Sequence, residues 1–236
     1  MGRFTAIGGG TFEDTDALNR RIVALSGKKV PNILFIGTAA QDSTNPLTSC
    51  KKSFKRVCPG CIVKKLSIIR NTYTEAEVDE LFAWADVIYV GGGNTEYMLA
   101  EWQKAGLDKR LLKVFEEDSA VLSGMSAGAI CWFTDGYTDS DSFTGNENWG
   151  YRFIKPATGL YDAVFCPHYG DFGRHGFDEA IKDLGKTGIA LEDCTAFVYD
   201  NGKTEYIKSK EEAQAYVIEW QDGKCLKRSA DAVMCG

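Results

Sequence analysis

Along most of the chain, short apolar runs that stop at small residues alternate with segments whose apolar positions recur three and four apart. RFTAIGGG predicts a strand closed by a glycine turn, and DTDALNRRIVALSG predicts a helix. PNILFIGTAA and VIYVGGGN, rich in β-branched residues, predict buried strands. TEYMLAEWQKAGLDKRLLKVFEED carries helical spacing with a break at Gly106, and AVLSGMS and DAVFCPHYG read as strands again. Strand–helix alternation with near-continuous apolar strands predicts an α/β fold of three layers, a mostly parallel central sheet with helices on both faces.

The tail has a different rhythm. TAFVYDNGKTEYIKS and AYVIEWQDGKCLKRS alternate apolar and polar residues and break at Asn201-Gly202 and Asp222-Gly223, which predicts C-terminal β-hairpins. The Gly- and Asp-rich segment from Thr134 to Pro156, with Tyr137, Trp149 and Tyr151, reads as a long functional loop. With no internal repeat, low-complexity segment or linker, residues 1–236 read as one domain.

Composition narrows the function. At 236 residues and 44% hydrophobic content the chain can build a core without staples. A net charge of -6 and a pI near 5.1 argue against nucleic acid, and the basic run CKKSFKRVCPGCIVKK reads as a solvated helix face and strand flank. No apolar run reaches membrane-spanning length. MGRFTAIGGG is a strand and turn and not a signal peptide, and Ala6 and Ile7 stand where a myristoylation signal would carry Ser or Thr. A cytoplasmic protein is expected. Of the eight cysteines, Cys131, Cys166 and Cys194 sit in apolar runs as small buried hydrophobes. The Cys58-Pro59-Gly60-Cys61 pair precedes a strand and not a helix, and lacks a second ligand pair, so neither redox nor metal chemistry is expected there.

The candidate chemistry lies at strand ends, where ligands bind in open parallel sheets. Gly91-Gly92-Gly93-Asn94, Gly124-Met125-Ser126-Ala127-Gly128 and Pro167-His168-Tyr169 each follow an apolar run. A serine on a sharp strand-to-helix turn, flanked by glycines, is placed to act as a nucleophile if a histidine takes its proton. The Ala127 amide, with that of Gly92 or Gly93, can then stabilise an oxyanion. The chain has two histidines, and His168, at a strand end, is favoured as base over His175. The orienting acid is open: Asp135, Asp139, Asp141 or Asp162 if it precedes the histidine, Glu192 or Asp193 if it follows, with strand-end placement favouring Glu192. The glycine turn lacks the spacing of a dinucleotide fingerprint and no P-loop lysine follows, so no cofactor is expected. Cys131, a turn and a half past Ser126, should point away from the elbow.

VGGGNTEYML, SGMSAGAICW and CPHYG, in that order, resemble the S51 serine peptidases, the peptidase E and cyanophycinase family. The resemblance runs from the first strand to the Glu192 region. It implies a flavodoxin-like or class I glutamine amidotransferase-like fold and a serine peptidase without metal or cofactor. Carried over, Ser126 matches the nucleophile, His168 the base and Glu192 the third residue, with Asp193 one position away in ALEDCTA. Gly92, Gly93, Asn94 and Ala127 match the oxyanion and substrate-binding region. HYGDFGRHGFDEAIKD lacks the family's arginine pattern and offers Arg174 as the cation for an acidic group on a substrate. The expected activity is exopeptidase or dipeptidase action on short peptides, with an acidic, Asp-type residue at the cleavage site. Another acyl hydrolase on the same elbow, or a silent α/β binding protein, are the competing readings. A small peptide is the expected partner, with no nucleic acid and no membrane, and homodimerisation is left open.

Overall fold

The computed structural model describes residues 2–69, 73–145, 147–171 and 173–235. In chain order the elements are β1 (Arg3–Ile7), α1 (Asp16–Leu25), β2 (Asn32–Ile36), α2 (Thr44–Val57), β3 (Ile62–Leu66), α3 (Glu75–Trp84), β4 (Val87–Val90), α4 (Thr95–Ala105), α5 (Leu107–Glu117), β5 (Val121–Met125) and α6 (Ala127–Ile130). They continue as β6 (Phe133–Thr138), β7 (Arg152–Ile154), β8 (Tyr161–Cys166), α7 (Phe177–Ala180), β9 (Gly188–Leu191), β10 (Thr195–Asp200), β11 (Lys203–Lys208), β12 (Ala215–Gln221), β13 (Lys224–Ser229) and β14 (Val233–Met234).

The central sheet runs β14-β11-β10-β1-β5-β4-β2-β3. Its β1, β5, β4, β2 and β3 are mutually parallel, as expected for strands joined by crossover helices. Alternate residues serve opposite faces. Ile33, Phe35, Val87, Tyr89 and Val121 pack under α1 and α2, while Leu34, Ile36, Ile88, Val90 and Leu122 pack with Met98, Trp102 and Leu111 of α4 and α5. Burial on both faces explains the unbroken apolar runs. The helical break falls at Gly106, whose φ of 63° ends α4.

A second sheet, β13-β12-β9-β8-β6-β7, was not foreseen. Here DAVFCPH pairs as β8 with β6 and β9 instead of joining the central sheet. The two sheets meet through aromatic rings: Phe133 of β6, stacked within the second sheet on Phe165 of β8 at 4.5 Å, makes a T-shaped contact with Phe4 of β1 at 5.9 Å. Each fully buried ring contributes about 2–3 kcal/mol of apolar burial, and this contact binds the sheets as one core. The two C-terminal hairpins form as expected but extend different sheets, β10–β11 the central one and β12–β13 the second. The Thr134 to Pro156 segment is likewise not one long loop. It holds the rest of β6, a short 3-10 helix at Ser140–Thr144, and β7, which pairs antiparallel with β6. Among the described residues no helix is long and apolar enough to cross a membrane.

Candidate active site

β1 is the spine of the site. Its end carries three consecutive carbonyls that each hold a different part of the chain. Ile7 O accepts the amide of Ser126 at 3.0 Å, Gly8 O that of His168 at 3.2 Å, and Gly9 O that of Cys194 at 3.0 Å. Ser126 follows β5, His168 follows β8, and Cys194 follows Asp193 beyond β9, so one short stretch gathers residues from both sheets. The triple glycine that looks like a simple turn in sequence is what permits this. A Cβ on Gly9 would lie 2.1 Å from Asp193 Oδ1 and 2.3 Å from His168 Nδ1, and one on Gly8 would lie 2.5 Å from Glu192 O. Any side chain at Gly9 would occupy the place of the imidazole and its carboxylate.

Ser126 sits in strained backbone, φ 55° and ψ -117°, a conformation that costs a non-glycine residue about 1–3 kcal/mol. The flanking glycines do not supply that twist; they admit close packing. A Cβ on Gly124 would lie 2.0 Å from Gly128 O, and one on Gly128 would lie 2.3 Å from Val90 O. The helix after the elbow is a single turn, with the amides of Ala129 and Ile130 both donating to Ser126 O. Ala127 therefore offers its own amide and no long helix dipole. Across the elbow, a Cβ on Gly92 would lie 3.2 Å from Ser126 Cβ and 3.7 Å from its Oγ. The Gly92 amide has no acceptor among the described residues and borders the serine. Gly93, at φ 140°, packs against Ala39 O, where a Cβ would come within 2.3 Å. The Asn94 side chain caps α4, accepting from the Tyr97 amide at 3.0 Å, and donates to Ser140 O at 3.5 Å. Its polar atoms serve the scaffold.

His168 also has left-handed backbone, φ 51°. Its Nδ1 lies 2.6 Å from Asp193 Oδ1, with Asp171 Oδ2 farther off at 4.0 Å. Glu192, the residue expected to orient it, instead accepts the Gln214 amide at 2.9 Å through Oε2. Glu192 still borders the same space, since a Cβ on Gly170 would lie 3.6 Å from its Cγ. The other candidate acids are committed to cations: Asp135 and Asp162 to Lys186 at 2.7 and 2.8 Å, Asp139 to Arg174 at 2.9 Å, Asp141 to Arg152 at 2.9 Å. No direct bond joins Ser126 Oγ to His168 among the described residues, as is common before substrate closes such a pair.

Arg174 is not a free cation. Its side chain is 3% exposed, paired with Asp139, donating to Tyr137 O at 3.3 Å and stacked 4.8 Å over the Tyr151 ring. His175 is exposed, its ring against Tyr169 at 4.9 Å. Burial pushes the Cys131 thiol well up, and its Sγ donates to Gly128 O at 3.1 Å, which disfavours the thiolate that a nucleophile needs.

His168, Glu192 and Asp193 open onto a cavity of about 570 Å³, walled also by Thr11, Asp14, Asp171 and Lys210. A neighbouring cavity of about 610 Å³ shares Gly10 and Thr11 with it and reaches Met125, beside the serine. Lys52 and Arg56 of α2 line this second cavity, where Arg56 is already paired with Asp16 at 2.6 Å.

Residues 4–207 match peptidase family S51. The chain is 32% identical over 225 residues to the uncharacterized peptidase YgaJ of Bacillus subtilis (strain 168), covering 92% of each chain. Among solved structures, a protein assigned as peptidase E from Listeria monocytogenes EGD-e superposes with a TM-score of 0.66 at 21% identity, over 88% of this chain and 98% of the other. A peptidase from an acI-B1 Actinobacterium superposes at 0.64 and 20% identity, over 97% of both. At those identities the structural likeness speaks for the shared fold.

Proposed function

The chain belongs to peptidase family S51, a family of serine peptidases, and from that premise we propose that it is an exopeptidase that hydrolyses short peptides through an acyl-enzyme on Ser126. The observation that carries this reading is the convergence of Ser126, His168 and the residue after Asp193 on the carbonyls of Ile7, Gly8 and Gly9. In the proposed mechanism the His168 Nδ1–H stays hydrogen-bonded to Asp193, which leaves Nε2 as the acceptor for the proton of Ser126 Oγ as it attacks the scissile carbonyl. The amides of Gly92 and Ala127 receive the developing oxyanion. The imidazolium returns its proton to the leaving amine, and a water then repeats the sequence to release the acid.

Asp193, not Glu192, is the proposed orienting acid, because among the described residues it alone meets the imidazole within hydrogen-bond distance. A preference for an acidic residue at the cleavage site would draw on Lys52, which opens onto the cavity beside Met125, since Arg174 is buried in its own ion pair. A reducing, cytoplasmic setting fits the buried free thiols of Cys50, Cys131 and Cys166. The test is a panel of Asp-Xaa and β-aspartyl dipeptides beside a p-nitrophenyl ester. Release of free amino acids from the dipeptides supports the peptidase; turnover of the ester alone would assign a different acyl hydrolase.

A further inference from the structure

His168 holds a left-handed backbone conformation that a non-glycine residue adopts at a cost of about 1–2 kcal/mol, so its surroundings must impose it. Close by, His168 is held by Gly8 O, Asp171 N donates to His168 O at 2.9 Å, and Tyr169 N donates to Leu191 O at 2.9 Å. The next layer is less expected. Tyr169 is wholly buried, and its hydroxyl donates to Asp178 Oδ1 of α7 at 2.7 Å. The same oxygen accepts from Lys227 Nζ of β13 at 2.5 Å. That ammonium lies 3.5 Å from Asp178 Oδ2 and 4.5 Å over the rings of both Tyr169 and Tyr216. Trp220 Nε1 of β12 donates to the backbone oxygen of Asp178 at 2.7 Å, which fixes the acid itself. Burial, and then Asp178, hold the Tyr169 phenol protonated well above its ordinary range, so its hydroxyl stays a donor to Asp178 and an acceptor for Lys227.

We infer that Lys227 is a positioning residue that, through Tyr169 and Asp178, holds His168 in the backbone geometry its role requires. The inference rests on the peptidase reading above. Residues of β13 are exposed along its whole length, and Lys227, with 33% of its side chain exposed, is the one that reaches inward to the histidine's neighbour. The S51 family model matches residues 4–207, so the tether comes from the hairpin that follows the matched segment. The β12–β13 hairpin is then part of the catalytic apparatus and not only an edge of the second sheet.

Lys227→Met keeps the aliphatic stem and removes the ammonium, Lys227→Arg restores a cationic donor, and Tyr169→Phe removes the shared hydroxyl. On the best substrate of the aspartyl dipeptide panel, Lys227→Met and Tyr169→Phe are each expected to lower kcat about tenfold with KM unchanged, because misplacement of a catalytic group by a fraction of an ångström slows the step without weakening binding. Lys227→Arg is expected to recover most of the loss, and thermal unfolding is expected to show all three folded at the assay temperature. Wild-type kcat in Lys227→Met, or losses in folded Lys227→Met that Lys227→Arg does not recover, would overturn the positioning role. A wild type that, like Ser126→Ala, cleaves no member of the panel would instead remove the peptidase reading, and the inference with it.

Discussion

The imidazole of His168 meets the carboxylate of Asp193 at 2.6 Å, Nδ1 to Oδ1, while Glu192, one residue earlier, spends its carboxylate on the amide of Gln214. Two adjacent acids at one strand end thus have separate tasks. Asp193→Asn is expected to cut kcat roughly a thousandfold or more, since the wrong tautomer leaves no base for the serine. Glu192→Gln keeps an acceptor for Gln214 and should cost less than about tenfold. Steady-state kcat for the two variants on one dipeptide checks the assignment; the reverse order of losses would return the role to Glu192.

Gly9 has no room for a side chain, because a Cβ there would meet both Asp193 Oδ1 and the His168 ring. Gly9→Ala should therefore separate the imidazole from its acid. A fall in kcat of about a hundredfold is expected, by the sensitivity of such pairs to displacements of about 1 Å. An alanine variant with wild-type kcat would mean that the pair is not needed.

The strain at Ser126 gives a stability prediction of opposite sign to its effect on activity. Glycine adopts φ 55°, ψ -117° with little penalty, so Ser126→Gly should relieve about 1 kcal/mol after its own entropic cost. That corresponds to a rise in Tm of about 2–4 °C for a chain of this size, read by calorimetry on an inactive protein. A lower Tm would show that the elbow is not strained.

Arg174 and Lys52 should part company in kinetics. Arg174→Met removes the buried cation that is paired with Asp139. It should cost about 3 kcal/mol of stability, the low end for such pairs because Asp139 is itself 33% exposed. At temperatures where it stays folded, its KM for aspartyl dipeptides should be unchanged. Lys52→Met should raise that KM while leaving Tm within about a degree, as expected for an exposed lysine. Denaturation curves and KM values for both variants separate the two roles.

What could be read from the sequence was local. GMSAG and CPHYG each place a reactive side chain at the end of its own apolar run, so Ser126 and His168 stand out without knowledge of the fold. The central parallel strands announce themselves because both faces are buried. Glu192 and Asp193 could not be told apart, because the choice between them is made by the Gln214 amide, 22 residues away in the chain. The triple glycine after β1 read as a turn because its purpose appears only when His168 and Asp193 arrive from the second sheet. That sheet was hidden for a similar reason. The apolar runs of β6 and β8 do not reveal which strands they will pair with, and their Phe133–Phe165 stack is a long-range contact. Arg174 looked available because its partner, Asp139, lies on a segment that read as loop.

The central claim is that Ser126 forms the acyl-enzyme, and the ratio of kcat for wild type to Ser126→Ala on the best dipeptide of the panel tests it most directly. The structure predicts a folded variant whose turnover falls by a factor of about a thousand or more, to the residual level that binding and oxyanion contacts alone sustain. Turnover equal to wild type would contradict the assignment and move the chemistry away from the β5 elbow.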